Sequence, residues 1–174
     1  MSQPQIWAPW RIGYLQSLDQ KPPRESRPKC FLCQAGESPL DEATTVERLI
    51  LHRDDAGTLL LNRYPYSSGH LLVTPHEHVA DLSDLDRPTR SGLMELCELG
   101  DRLLRDSLDP QGVNIGANLG RAAGAGVPGH LHFHVVPRWA GDTNFMDVVG
   151  GVRVIPQALE DTYRILRERL PRHL

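Results

Sequence analysis

Three histidines at every second position, His130, His132 and His134, are the residues of this chain best arranged for chemistry. Leu131, Phe133 and Val135 alternate with them, and Pro137 follows. On a β-strand, successive side chains point to opposite faces. The three imidazoles would line one face, with same-face neighbours about 6.5–7 Å apart, and the apolar residues would pack on the other. That spacing suits one phosphate-sized group or one metal ion. A neutral imidazole, with an ordinary pKa of about 6.5, can attack phosphorus at neutral pH. Attack on a phosphoanhydride divides one difficult displacement into two easier ones through a phospho-histidine-type intermediate. Flanking rings can donate hydrogen bonds to the nonbridging oxygens. On this geometry the middle ring, His132, is the nucleophile and the outer two support it. His70, at the start of another strand, is a further donor. Residue types alone leave two other readings open: a metal site, since His is the commonest metal ligand, and histidines on an exposed strand face.

The other reactive side chains are three cysteines. An odd count argues against a disulfide framework. Cys97 sits in an apolar helical stretch and reads as a small buried hydrophobe. Cys30-x-x-Cys33 is half of a tetrahedral zinc site, or a reduced unmetallated pair. A redox pair is disfavoured, because no helix start is evident at the motif. Phe31 reads as an apolar plug beside the site.

The elements that must carry these residues follow from pattern. Strands are expected over 46–53, 58–62 and 70–75, broken by Asp54-Asp55-Ala56-Gly57 and by the loop 63–69. Leu85, Leu93, Leu96, Leu99, Leu103 and Leu104 recur at helical spacing, so 84–109 reads as a long helix with Pro88 in its first turn and Pro110 as its stop. A strand over 112–119, a Gly/Ala loop over 120–129, the histidine strand 130–137 and a turn at 141–145 follow. A C-terminal helix over 156–170 would bury Leu159, Tyr163, Leu166 and Leu170. Hairpin-linked strands with segregated helices give an α+β class. Residues 1–29 read as an arm and linker, with Trp7, Trp10, Arg11 and Tyr14 placed to dock on the domain, a partner subunit or a base. Residues 30–174 read as a single domain.

The 174 residues are 40% hydrophobic and 24% charged, ordinary for one globular domain. A net charge of -3 gives no electrostatic case for nucleic acid or an anionic membrane, so a polyanionic substrate would need a local positive site. No apolar run approaches the roughly 20 residues of a membrane span, and no signal peptide opens the chain, which is expected to be cytoplasmic.

The residues also carry a resemblance. His-x-His-x-His followed by two apolar residues is similar to the motif of the histidine triad superfamily. Gly69-His70-Leu71-Leu72-Val73-Thr74-Pro75 through His78 resembles that family's upstream segment. Trp7 to Leu15, Leu61 to Tyr66, Asn118-Leu119-Gly120, Pro137-Arg138-Trp139, Gly141 to Phe145 and Val154 to Gln157 resemble a bacterial subgroup that includes diadenosine tetraphosphate phosphorylases. The resemblance implies the histidine triad fold, an antiparallel sheet with a long central helix and a C-terminal helix. It implies cleavage of dinucleoside polyphosphates, with inorganic phosphate as second acceptor, and a homodimer formed through strand and helix edges, with the apolar helix 93–104 compatible with pairing or with the core. By position, His132 would be the covalent nucleophile, supported by His134 and His70. Asn62 would face the nucleoside, and Asn118, Gly126, Arg121, Arg138 and Asn144 the phosphates. Structural zinc would be held by Cys30, Cys33, His78 and His130. Two positions depart from the pattern. The run 125–129 has no side-chain donor before His130 to assist a leaving group. The third triad member is His134, as in hydrolases, where phosphorylases and transferases of another branch carry Gln. A hydrolase of dinucleoside polyphosphates or nucleoside phosphoramidates is therefore one alternative, and a non-catalytic, zinc-stabilised nucleotide-binding protein another. Base preference, polyphosphate length and any need for free Mg²⁺ are not fixed by these residues.

Overall fold

A computed structural model describes residues 30–37, 41–142, 155 and 157–174. The 1–29 arm with its two tryptophans, Asn144, and most of 143–156 lie outside the described residues. Along the chain run helices α1 (Phe31–Gly36) and α2 (Glu42–Glu47), strands β1 (Ile50–Arg53), β2 (Gly57–Leu61) and β3 (Leu71–Pro75), helix α3 (Arg87–Leu108), strands β4 (Gly112–Ala117) and β5 (Phe133–Arg138), and helix α4 (Leu159–Arg169). The strands form one antiparallel sheet in the order β1-β2-β3-β5-β4. The α+β class read from pattern is the class observed.

The sheet has two differently covered faces. Leu59, Leu61, Leu71, Val73, Leu131 and Val135 join the main core, under α3 and α4. On the opposite face, Ile50, Leu60 and Leu72 meet Leu32 and Ala35 of α1. This explains why Leu59-Leu60-Leu61 lacks polar alternation: β2 is buried on both sides. Helix α3 is capped by Asp86, whose carboxylate accepts from the Thr89 N–H, and it carries Pro88 in its first turn. Its expected leucine stripe and Cys97 are buried in the core. The leucines of 93–104 pack on the chain's own sheet. Helix α4 is tied to the first strand by the Tyr163 hydroxyl, which donates to the Ile50 carbonyl at 2.8 Å.

Among the boundaries that differ from the sequence expectation, three bear on the site and its supports. Val46 belongs to α2, not to a strand, because Asp41 caps that helix through the Thr44 N–H. Strand pairing in the histidine segment begins only at Phe133. Ahead of it, the Leu131 N–H goes to the Val79 carbonyl, and the Leu131 carbonyl accepts from the Thr74 hydroxyl. The alternation survives this irregular pairing, since Leu131, Phe133 and Val135 still pack on the core side. The C-terminal helix begins at Leu159, not at 156.

Two glycines allow the close approaches that bring the sheet to its helix. Gly69, at φ +80°, turns the chain directly into His70, and a Cβ there would meet Leu108 at 2.5 Å. A Cβ on Gly57 would lie 2.3 Å from the Thr74 carbonyl oxygen and 2.9 Å from Leu93. Gly57→Ala is therefore expected to destabilise the protein by about 1–3 kcal/mol, through overpacking against backbone. Gly116→Ala, where a Cβ meets nothing within 4 Å, is the matched control and should melt close to wild type.

Candidate active site and metal-binding cluster

The hydrogen bonds around the histidines assign each ring a tautomer. The His132 Nδ1–H donates to the His130 carbonyl at 2.8 Å, which leaves the lone pair on Nε2. The His70 Nδ1 accepts the Tyr66 backbone N–H at 3.0 Å and faces the Asn62 amide nitrogen at 3.2 Å. His70 therefore carries its proton on Nε2 and donates it to the His134 Nδ1 at 2.9 Å. His134 in turn bears its proton on Nε2, a buried nitrogen with no hydrogen-bond partner among the described residues. The result is an imidazole with an open lone pair beside an imidazole with an unspent N–H. The two rings lie 5.0 Å apart at 73°. Burial, and the neighbouring His132, push the His134 imidazole down to about 4, so it stays neutral at physiological pH. This pairing can attack an electrophilic centre and hold charge that develops next to it.

The supports come from the loop between β2 and β3. Asn62 uses its side-chain oxygen to accept the Tyr64 N–H at 3.0 Å while its amide faces His70. The Tyr66 ring lies 4.5 Å from His70 and 5.6 Å from His134. No role was read for Tyr66 from sequence, where it stands only as the last residue of the Leu61 to Tyr66 segment that carries the resemblance. On the α1 side, Phe31, Gln34, Leu60, Asn62 and Tyr64 line a cleft of about 480 Å³. Among the expected phosphate contacts, Asn118 and Arg138 line a second cleft next to His134. Gly126 lies in the loop before His130, with open space where a Cβ would be. The short helical turn Arg121–Ala123 interrupts that loop.

The four expected metal ligands come together. Cys30, Cys33, His78 and His130 present ligand atoms that all lie within 4.8 Å of one another. The His130 Nδ1 is 3.4 Å from each sulfur, and the His78 Nδ1 is 3.1 Å from Cys33. Two thiols and two imidazoles are a tetrahedral zinc donor set. The His130 Nε2–H donates to the Pro75 carbonyl at 3.1 Å, which aims the Nδ1 lone pair at the sulfurs and supplies the outer hydrogen bond typical of a metal-ligating histidine. Burial lowers the His130 pKa, favouring the neutral ligating form.

Two expectations at this site need correction. A helix does start at the motif: Cys30 is the N-cap of α1. Even so, burial and then the adjacent Cys30 push the Cys33 thiol up to about 11, opposite to the depressed pKa of a reactive redox cysteine. Phe31 is not the plug. It is 48% exposed and lines the α1 cleft, while Leu32, fully buried, packs with Ile50, Leu60 and Leu72 in the cluster that Cys30 joins. In a helix adjacent residues point in different directions, so only one of the two can face the sheet.

The His134 environment sets a pH dependence. The unfolded chain takes up the His134 proton near 6.5, whereas the folded chain resists until about 4. Stability from the neutral ring is complete above the unfolded pKa and is lost as pH falls from there toward about 4. Melting curves at pH 7.5 and pH 5 should show wild type losing more stability than His134→Gln, which has no titrating ring; equal losses would contradict the assignment.

Residues 43–141 match the HIT domain family. A Mycobacterium tuberculosis (strain ATCC 25618 / H37Rv) protein named AP-4-A phosphorylase is 38% identical over 161 residues, spanning 92% of this chain and 81% of that one. A zinc-bound histidine triad family protein from Mycobacterium smegmatis superposes with a TM-score of 0.63 at 32% identity, covering 83% of this chain and 94% of its own. The Plasmodium falciparum diadenosine triphosphate hydrolase, at 19% identity and a TM-score of 0.59, covers 76% of this chain and 80% of its own and shares the fold. With more than half of its length matched by the domain and its histidine run, sheet and long helix in the expected order, the protein belongs to the HIT domain family.

Proposed function

We propose that this protein transfers a nucleotidyl group through His132, cleaving dinucleoside polyphosphates such as diadenosine tetraphosphate with inorganic phosphate as acceptor. The observation that carries the reading is the pair of complementary tautomers: an open lone pair on the His132 Nε2 beside an unspent N–H on the His134 Nε2. The similarity to a protein named AP-4-A phosphorylase supports the substrate class.

In the first step the His132 Nε2 lone pair attacks the α-phosphorus. A P–N bond forms, the P–O bond to the polyphosphate breaks, and the departing nucleotide leaves with that electron pair. The His132 Nδ1–H stays on the His130 carbonyl and steadies the charge gained by the ring. The His134 N–H holds a nonbridging oxygen. In the second step a phosphate oxygen attacks the same phosphorus and the P–N bond breaks. Its electron pair returns to Nε2, and a nucleoside diphosphate is released. The α1 cleft, with exposed Phe31 and Tyr64 on its walls and Asn62 inside, takes the nucleoside of the transferred half. Water in place of phosphate is the second reading, favoured by histidine at the third triad position.

Zinc belongs to the same proposal, held by Cys30, Cys33, His78 and His130. Bound there, it would cross-link α1, the segment after β3 and the strand entry at His130, and its chemistry would be structural. A homodimer is proposed as well; among the described residues β1 and β4 stand at the two edges of the sheet.

Two outcomes test this reading. Diadenosine tetraphosphate with phosphate should yield ADP and ATP, and His132→Ala should lower that rate by at least about a thousandfold while retaining AMP binding. AMP and ATP formed without phosphate would assign the hydrolase instead, and no turnover of any dinucleotide would leave only a binding protein. Stripping with a strong chelator should lower the melting temperature by about 5 °C or more, with restoration by added zinc. Unchanged melting, with no zinc by elemental analysis, would remove the metal from the proposal.

A further inference from the structure

Helix α1 carries residues of two sites. Cys30 and Cys33, at its start, belong to the metal-binding cluster, while Phe31 and Gln34 line the cleft of about 480 Å³. Its own sequence does little to hold it. At six residues it is far shorter than the roughly 12–15 that an isolated helix needs in water. Cys30 makes no side-chain cap hydrogen bond, and the helix has no acidic residue in its first turn and no basic residue in its last. Leu32 and Ala35 pack on the sheet, which fixes one face. The last carbonyls of the helix still need donors.

Two arginines from other elements supply them. Arg48 is the C-cap of α2, and its Nη1–H donates to the Gln34 carbonyl. Arg53 ends β1, and its Nη2–H donates to the Gly36 carbonyl while its Nη1–H donates to the Glu37 carbonyl at 3.4 Å. Both guanidinium groups sit at the end of the helix where the macrodipole favours cations. The planar fork of Arg53 spans two successive carbonyls, a geometry that a lysine does not reproduce. The turn behind Arg53 is itself braced. The Asp54 Oδ1 accepts the Ala56 and Gly57 N–H groups at 2.9 and 3.0 Å. The His76 Nε2–H donates to the Asp54 carbonyl at 2.7 Å, and a Cβ on Gly36 would lie 3.1 Å from the His76 Nδ1. Gly36 is therefore seated closely on His76, beside the arginine that holds its carbonyl.

We propose that Arg53, assisted by Arg48, is a positioning residue for nucleotide binding: it holds the C-terminal carbonyls of α1 and so fixes the Phe31 and Gln34 side of the cleft. This rests on the nucleotidyl-transfer reading, which places the nucleoside there. Arg48 lines the cleft as well, whereas Arg53 is not among the lining residues and acts on the nucleotide through α1. The catalytic histidines stand apart from this linkage. The tautomers of His70, His132 and His134 are set by the Tyr66 N–H and the His130 carbonyl, neither of which belongs to α1. Releasing the far end of α1 weakens the hold on the nucleoside in the ground state and the transition state alike, which raises KM and spares kcat.

Arg53→Gln tests this, with Leu166→Ala, a core truncation in α4, as the control for a general loss of stability. The measurements are the AMP dissociation constant by calorimetry, kcat and KM for diadenosine tetraphosphate with phosphate, and amide hydrogen exchange by mass spectrometry. In Arg53→Gln, exchange across 31–36 should speed up at least about tenfold, with exchange across α3 unchanged. The AMP dissociation constant and KM should rise at least about fivefold, with kcat within about twofold of wild type. Leu166→Ala should bind AMP within about twofold of wild type. Unaltered exchange in α1 overturns the anchor. Unaltered AMP affinity, a loss carried by kcat alone, or an equal rise in Leu166→Ala overturns the role in binding. If Arg53→Gln does not fold, Arg53→Lys carries the same test, because it keeps the charge and loses the fork. Wild-type protein that binds no AMP and cleaves no dinucleotide overturns the nucleotidyl-transfer reading and the role in binding, while exchange in α1 still decides the anchor.

Discussion

The hydrogen bond from the His132 Nδ1–H to the His130 carbonyl is the constraint on which the active arrangement depends. It removes one of two possible tautomers and leaves the lone pair on the nitrogen that faces away from the backbone. The acceptor belongs to a residue whose own ring is directed elsewhere, toward the cysteines, with its Nε2–H held by Pro75. One residue thus serves two sites at once, through its carbonyl and through its side chain. Anything that anchors the His130 ring also anchors the acceptor that orients His132.

A second chain of hydrogen bonds fixes the neighbouring ring in the opposite sense. It begins at a backbone amide, that of Tyr66, which cannot act as an acceptor. From there the direction of each donor follows through His70 to His134. Burial prevents the outcome from being scrambled by protonation, since it disfavours the charged form of His134. Gly69 is needed at the start of this chain because the loop must turn with positive φ immediately before His70 while passing close to Leu104 and Leu108. Backbone geometry, ring tautomers and the packing of α3 against the sheet are therefore parts of a single arrangement.

Much of this was legible in the chain itself. The leucines of α3 have one helical period and one buried face, so pattern alone located the helix to within a few residues. The alternating histidines and hydrophobics declared their two faces even where strand pairing turned out to be irregular. The spacing of Cys30 and Cys33 declares half of a zinc site, but His78 and His130 join it only through the resemblance; nothing in the spacing from 30 to 78 to 130 requires proximity. What pattern missed was short-range and depended on capping. The six-residue helices α1 and α2 are too brief to show a period, and the second buries no residue. Reading Phe31 as the buried neighbour of the cysteines failed for the same reason: without a helix in view, the choice between Phe31 and Leu32 had no basis.

The sequence by itself determined residue chemistry and local periodicity: which side chains can attack, ligate or pack, and which of them share a face of a strand or helix. These are properties of neighbours along the chain, set by covalent geometry and burial preference. Only the tertiary structure decided which nitrogen of each imidazole holds the proton, because the deciding partners at Tyr66, His70, His130 and Pro75 are brought in by strand order and loops. It also decided that α1 covers only the β1–β3 half of the histidine face. That division follows from the packing of Leu32 and Ala35 on Ile50, Leu60 and Leu72, contacts made by residues far apart in the chain. The histidine run that stands out in the chain thus acquires its distinct roles from groups that are not its neighbours in sequence.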